Sequence, residues 1–235
     1  SCGIDDNAFY GCSKLQSIGE SAKCTSVGNY AFYDCSNLKN IDLSMCTSIG
    51  SDAFGNCSKL QSVGNPKLTS ISGEAFSGCS SLENIDLSIC TSVALGAFSG
   101  CSKLQNVNTS ICTYIGDNAF ASCSSLTEVD LSVCKSLGNY AFGGCTKLEN
   151  VIGLEKFKSI PKGAFSGTGI KSVDLPQCTT IGLSAFSGCS SLQSVNLPVC
   201  ISIDDGGYYQ NGAFQNCTNL TDLKLPQCTT IGDYA

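Results

Sequence analysis

The segment Leu82-Glu83-Asn84-Ile85-Asp86-Leu87-Ser88-Ile89-Cys90-Thr91-Ser92-Val93-Ala94-Leu95-Gly96-Ala97-Phe98-Ser99-Gly100-Cys101-Ser102-Lys103 is one copy of a unit that fills the chain. Written generally, the unit is L-x-x-V-D-L-S-x-C-T-S-I-G-x-x-A-F-x-x-C-S-x. Its Ala-Phe marker begins at Ala8, Ala31, Ala53, Ala75, Ala97, Ala119, Ala141, Ala164, Ala185 and Ala213, and Ala235 is next in line. The steps are 23, 22, 22, 22, 22, 22, 23, 21, 28 and 22 residues. Self-similarity at such a period signals a solenoid, in which each repeat buries its apolar face only against its neighbours. Residues 1–235 therefore read as one elongated domain of about ten rungs rather than as globular domains.

Within the quoted copy, Leu82, Ile85 and Leu87 are apolar, while Asn84 and Asp86 alternate with them. That is the period-two pattern of a short strand. Val107, Val129 and Leu131 recur in the same places, so one short strand per rung should stack in parallel. Pro176, Pro198 and Pro226 mark the strand's end, because proline cannot donate to a ladder. Thr-Ser-Ile-Gly then reads as a turn, and Ala-Phe-x-x-Cys as one helical or 3-10 turn on the opposite side, with Phe inward. The expected fold class is a mostly β solenoid of the α/β type. At ~4.8 Å per rung it would be a rod or arc on the order of 50 Å long. A second period of 44 residues overlies the first, since Lys14, Lys59, Lys103 and Lys147 alternate with Asn37, Ser81 and Ser125.

The unit resembles the leucine-rich repeat pattern L-x-x-L-x-L-x-x-N/C-x-L. More closely, the recurrent I-G-x-x-A-F-x-x-C-S-x-L resembles the BspA-like leucine-rich repeats of bacterial and protozoan cell surfaces, over essentially the whole chain. It departs in one respect: cysteine stands before the turn, as in Cys46-Thr47-Ser48-Ile49, which is similar to the cysteine-containing leucine-rich repeats. The resemblance implies protein binding or adhesion at a cell surface, or in a secreted protein.

All eighteen cysteines fall in two columns. One follows Phe by three residues, from Cys12 to Cys217, with Thr168 as the exception. The other closes the strand, from Cys2 to Cys228, interrupted by Leu68 and Phe157. Cysteine this dense invites a disulfide framework, and neighbouring rungs would lie within disulfide range. Against this, the runs of three in one column and the run of seven in the other are odd and cannot pair completely, stacked Cβ atoms point in parallel, and the replacements Leu68 and Phe157 are apolar. Buried free thiols acting as small hydrophobes are the favoured reading, with a disulfide framework as the alternative. The C-x₁₀-C spacing without histidine fits no usual zinc arrangement, and no metal or other cofactor is expected.

The chain carries 13 lysines, no arginine and no histidine, with a net charge of −6. An acidic chain without arginine is poorly suited to nucleic acid or anionic membrane. No apolar run approaches the ~20 residues of a membrane span, and no signal peptide is evident in this segment. Because the sequence starts without Met and begins and ends inside a repeat, it reads as a piece of a longer chain. Without histidine, a nucleophile would need a lysine or carboxylate base, and no spacing singles one out. Gly169-Ile170-Lys171-Ser172 looks like the end of a phosphate loop, but Ile170 fills a core column and the preceding glycine spacing is wrong. A non-enzymatic protein is expected.

Binding candidates come from the strand and from one insertion. Asp42, Asp86, Asn108, Asp130, Asp174 and Asn196 share the outward strand position, with Asn40, Asn84, Asn106, Glu128, Asn150 and Asp222 in the neighbouring row. Such a face is either a solvated surface that keeps the rod soluble or a polar platform for a protein partner, as solenoids use. The 28-residue step inserts six residues in the loop 204–212, where Tyr208 and Tyr209 are candidate interface anchors. The threonine column after the second cysteine reads as side-chain capping of backbone. The rival to a binding module is a structural protein that self-associates end to end into filaments, since neither terminus shows a polar capping repeat.

Overall fold

The computed structural model describes residues 2–19, 24–204 and 211–235. They form stacked rungs joined along three hydrogen-bonded walls. The most regular wall lies where the sequence reading placed a turn. There, two-residue strands Ser70–Ile71, Ser92–Val93, Tyr114–Ile115 and Ser136–Leu137 pair parallel and in register. Ser159–Ile160, Thr180–Ile181, Ser202–Ile203 and Thr230–Ile231 continue the pattern. In each, the second residue points inward and the first outward, so the Thr-Ser-Ile-Gly motif is itself a strand with period-two patterning. Its shortness hid it, because two residues give no measurable alternation.

The expected strand forms the second wall, less continuously. Glu128–Asp130 pairs with Asn150–Ile152, and Ser172–Asp174, Ser194–Asn196 and Asp222–Lys224 pair among themselves. In earlier rungs the same wall is reduced to bridges, Asn40 with Ser62 and Asn84 with Asn106. Between Asn150–Ile152 and Ser172–Asp174 the wall breaks into two separate sheets.

The third wall is built by Ala-Phe-x-x-Cys. Asp52, Phe54 and Asn56 donate their N–H groups to the carbonyls of Gly73, Ala75 and Ser77 at 3.0, 2.8 and 2.7 Å. The intervening Gly55 and Cys57 donate back three residues within their own rung. Sending alternate N–H groups to the next rung requires left-handed backbone before the Ala and before the Cys. Asp52 and Asn56 have φ of 53° and 60°, and Gly96 and Gly100 have 59° and 76°. Those two columns are accordingly rich in Asn, Asp and Gly, the residues that tolerate this region best. The segment is thus a series of tight turns. Among the described residues the one 3-10 helix is Leu154–Lys156, at the end of the strand wall.

The core between the walls is a set of columns. Phenylalanines 32, 54, 76, 98, 120, 142, 165 and 186 are fully buried. From Phe9 to Phe214 their rings stack at 5.0–5.8 Å, within 13° of parallel. No disulfide joins the seventeen cysteines whose side chains are described, and all but Cys12, Cys217 and Cys228 are buried. From Cys35 to Cys217, thiols of the column after Phe donate to the Phe carbonyl of the preceding rung, as Cys57 does to Phe32 and Cys101 to Phe76, both at 3.1 Å. Thiols of the other column reach a carbonyl two residues on, as Cys46 does to Ser48 at 3.0 Å. A small apolar side chain with one weak donor therefore fits both places better than alanine or valine. Thr168, the one exception in its column, donates its hydroxyl to the Phe165 carbonyl at 2.8 Å. Burial raises these thiols well above their usual range at Cys79, Cys101 and Cys123, and pushes Cys145 up to about 12.

Candidate functional site

Beside two of the three walls a column of hydroxyls is engaged in the stacking itself. Thr47, Thr91, Thr113, Thr179 and Thr229 donate to the carbonyl of the preceding rung at 3.1–3.2 Å. Ser58, Ser80, Ser102 and Ser124 do the same beside the turn wall, at 3.2–3.5 Å. The threonine column is a capping device, with its acceptor one rung away rather than within the turn. The strand wall differs. Its outward column runs Asp42, Gly64, Asp86, Asn108, Asp130, Ile152, Asp174, Asn196 and Lys224, as the pairings Asp130–Ile152 and Asp174–Asn196–Lys224 fix.

The structure brings the six candidate residues of this column onto one surface and shows what holds them. Asp42, Asp86 and Asp130 each accept the N–H of the serine two residues on, Ser44, Ser88 and Ser132, at 2.9, 2.8 and 2.8 Å. Asn108 accepts both the N–H and the hydroxyl of Ser110, at 3.1 and 2.7 Å. These are Asx-turns that end the strand. Asp174 and Asn196 precede Pro176 and Pro198, which have no N–H to give. Asn196 instead donates its amide to Asp174 at 2.9 Å. The D-L-S and D-L-P rungs thus fix the same side chain in two ways, along the chain or across rungs.

Electrostatics follow from these bonds. The Ser44 and Ser88 N–H groups hold the Asp42 and Asp86 carboxyls below the usual range, and the Ser132 hydroxyl contributes most at Asp130. The carboxylates are therefore charged, oriented and largely open to solvent. In the neighbouring row Asn150 donates to Glu128 at 3.4 Å, and Lys171 pairs with Glu149 at 2.6 Å across exposed rungs. Lys171 lies beside Ile170, which is 3 % exposed and fills its core column, so Gly169-Ile170-Lys171-Ser172 is a rung and not a phosphate loop.

One residue of this surface was missed in the sequence. Ile152 occupies the aspartate column and is 46 % exposed. Alignment of Asn150-Val151-Ile152-Gly153 with Glu128-Val129-Asp130-Leu131 carries the signal, because an aliphatic side chain stands where other rungs are polar. Tyr208 and Tyr209 lie outside the described residues. The flanks of their loop are anchored, since Asp204 donates its N–H to Ile181 at 2.9 Å and Asn211 accepts the Ser184 hydroxyl at 2.6 Å.

A family model described as BspA type leucine rich repeat region (6 copies) matches residues 3–127 and 113–235. No curated protein matches. Among solved structures, a leucine-rich repeat protein from Bacteroides ovatus is 22% identical with a TM-score of 0.64, over 97% of this chain and 78% of that one. A leucine rich cell surface protein from Faecalibacterium prausnitzii is 20% identical with a TM-score of 0.45, over 97% and 83%. The leucine rich repeat protein of T. pallidum is 25% identical with a TM-score of 0.43, over 93% and 78%. The Bacteroides structure has the same solenoid fold.

Proposed function

Because the chain belongs to the BspA type leucine-rich repeat family, we propose that it is a non-enzymatic protein-binding module that acts in adhesion at a cell surface. The strand wall is the docking face. The observation that carries this reading is the row of oriented carboxylates at Asp42, Asp86 and Asp130, each pinned by a serine N–H and still facing solvent. Ordered acceptors lose little freedom on binding, which favours a partner that brings cations to them. On the threonine and serine columns the hydroxyls are consumed between rungs, and they offer a partner less. Repeat regions of this family are typically binding modules, and no enzyme-related family is found. No helix among the described residues is long and apolar enough to cross a membrane.

The test is a screen against arrayed extracellular proteins, followed by affinity measurements of any hit at 0.1 and 1 M salt. The Debye length falls from ~10 Å to ~3 Å over that range, so a carboxylate-mediated contact should weaken markedly. Asp86→Asn with Asp130→Asn should reduce binding, whereas Tyr208→Ala should not. Intact binding in the aspartate double variant, with loss in Tyr208→Ala, would move the docking face to the 204–212 loop.

End-to-end association of protomers is the second reading. Size-exclusion chromatography of this 235-residue chain over a concentration series separates the readings. A ladder of sizes supports assembly, and a single monomer peak removes it.

A further inference from the structure

The strand wall lacks ladder pairing between Ser62 and Asn84, between Asn106 and Glu128, and between Asn150 and Ser172, and at the last of these gaps three departures from the repeat coincide. Asn150–Ile152 and Ser172–Asp174 sit on neighbouring rungs but belong to separate sheets. Gly153, at φ 80°, runs so close to Ser132 that a Cβ would meet its Cα at 2.6 Å, and the chain then enters the 3-10 turn Leu154–Lys156. On the following rung the spacing between Ala-Phe markers shortens to 21 residues. The two rungs are thus out of step. Ile152, the aliphatic residue of the aspartate column, stands at the edge of the break.

Two shallow depressions flank Ile152. One, of about 280 Å³, opens into the break and reaches the buried Leu154 and Ile170. The other, of about 340 Å³, lies on the opposite side over Asn108 and Asp130. Glu128 and Ile152 line both, Asp130 adds a carboxylate to the second, and Glu149, already paired with Lys171, lines the first. Each is at or below the smallest size usual for a drug-sized ligand site, but a single side chain would fit. An exposed aliphatic with apolar residues beneath and carboxylates around it asks for an apolar group flanked by positive charge.

We propose that this break is the anchoring point on the strand wall for a protein partner's peptide segment, which inserts an aliphatic or aromatic side chain beside Ile152 and sets a neighbouring lysine or arginine against Glu128. The inference rests on the reading of the strand wall as the docking face and narrows it to one rung pair. Apolar anchors of this kind are buried at the centre of interfaces, with charged groups around them. Charge complementarity selects the occupant: with Glu149 balanced by Lys171, Glu128 and Asp130 leave the lining acidic, which favours a basic segment over an acidic one.

The probes are the capped tripeptides Ac-Lys-Leu-Lys-NH₂ and Ac-Glu-Leu-Glu-NH₂, titrated into the isotopically labelled 235-residue chain and followed by amide shifts. The basic peptide should move the amides of Glu128, Val151, Ile152 and Ser172 in a saturable way, and the acidic peptide should not. Ile152→Asn restores the polar character of the column at an exposed position. It should leave the fold unchanged and weaken the basic peptide about fivefold, the loss expected for half-burying an aliphatic side chain. Equal binding of both peptides, an unchanged affinity in Ile152→Asn, or no saturable shift at these amides overturns the proposal. Shifts confined to the rungs of Asp42 and Asp86 would also overturn it, while leaving the strand wall as the docking face.

Discussion

Replacing Phe98 with alanine tests the stacked ring column as the main stabilising element of the solenoid. Phe98 is fully buried and lies 5.5 Å from Phe76 and 5.3 Å from Phe120, nearly parallel to both. Truncating a buried phenylalanine costs about 3–5 kcal/mol. The part due to ring pairing is about 0.5–1.5 kcal/mol for each of two neighbours, so the upper half of that range is expected. Phe9 provides the internal control. It is only half-buried and stacks on one side alone, against Phe32 at 5.0 Å. Phe9→Ala should therefore cost roughly half as much, about 2 kcal/mol. Domain stabilities are about 5–15 kcal/mol, so the central lesion removes a large fraction. Because each rung contacts only its neighbours, the two halves should also separate in their unfolding. Urea titration followed by circular dichroism, with tyrosine fluorescence as a second probe, measures both effects. A cost below about 1 kcal/mol for Phe98→Ala, or equal costs at the two positions, would refute the column as the principal anchor.

Other consequences can be checked as directly. Unfolded protein under non-reducing conditions should yield nearly all of its eighteen thiols to excess reagent, whereas folded protein should react promptly at Cys12, more slowly at the half-buried Cys217 and Cys228, and little at the buried thiols; recovery of fewer than about half after unfolding would sink this. The thiol pKa values raised by burial, with Cys145 at about 12, mean that the folded state keeps protons the unfolded state releases. Stability from this source is complete below the unfolded thiol value near 9 and is lost as pH rises toward 12, so the urea midpoint should fall between pH 8 and 11; a flat profile would contradict the buried column. Asp86→Ala should cost roughly 0.5 kcal/mol by removing the Ser88 turn bond, and Asp174→Ala should cost less because Pro176 offers no N–H; the reverse order in thermal denaturation would undo the Asx-turn account. Gly100→Val, at φ 76°, should destabilise by about 1–2 kcal/mol, while Glu74→Gly, at φ 55°, should be near neutral; equal effects would mean the left-handed columns are not required.

Much of the fold is legible because a solenoid states each requirement repeatedly. The Phe, Ala, Leu and Cys columns are all read from period alone, and the structure buries them where the reading placed them. The wall at Ser-Ile was not legible, since two residues are too few to display alternation, and its ladder exists only between rungs. Nor was the turn wall. Its hydrogen bonds need left-handed residues at two places per rung, but the sequence shows this only as a mild excess of Asn, Asp and Gly, with Tyr30, Glu74 and Tyr140 obscuring it. At the candidate site, the aspartate column was visible, but its local duty was not. The serine two residues on was present in the repeat all along, and Asp-x-Ser at a strand end is enough to predict the Asx-turn.

Departures from a column carry more information than the columns themselves. Leu68 and Phe157 replace cysteines and stay buried at 1 % and 9 %, so they keep the apolar role, and Phe157 comes with the extra residue and 3-10 turn of its rung. Thr168 replaces a cysteine and donates its hydroxyl to Phe165 of its own rung, where the cysteines reach the preceding rung's Phe, so the position stays hydrogen-bonded. Each of these substitutions conserves something the stack needs. Ile152 conserves nothing of the kind: it gives up the carboxylate that ends the strand in other rungs, and it leaves an aliphatic side chain in solvent. Gly153 beside it, at φ 80°, leads the chain into the 3-10 turn Leu154–Lys156 where other rungs have an Asx-turn. An exposed isoleucine in the aspartate column, beside a rebuilt turn and an unpaired rung, is a combination found at no other described rung. That is the physical ground for looking at the break between rungs, before the regular face around it, when seeking what this rod binds.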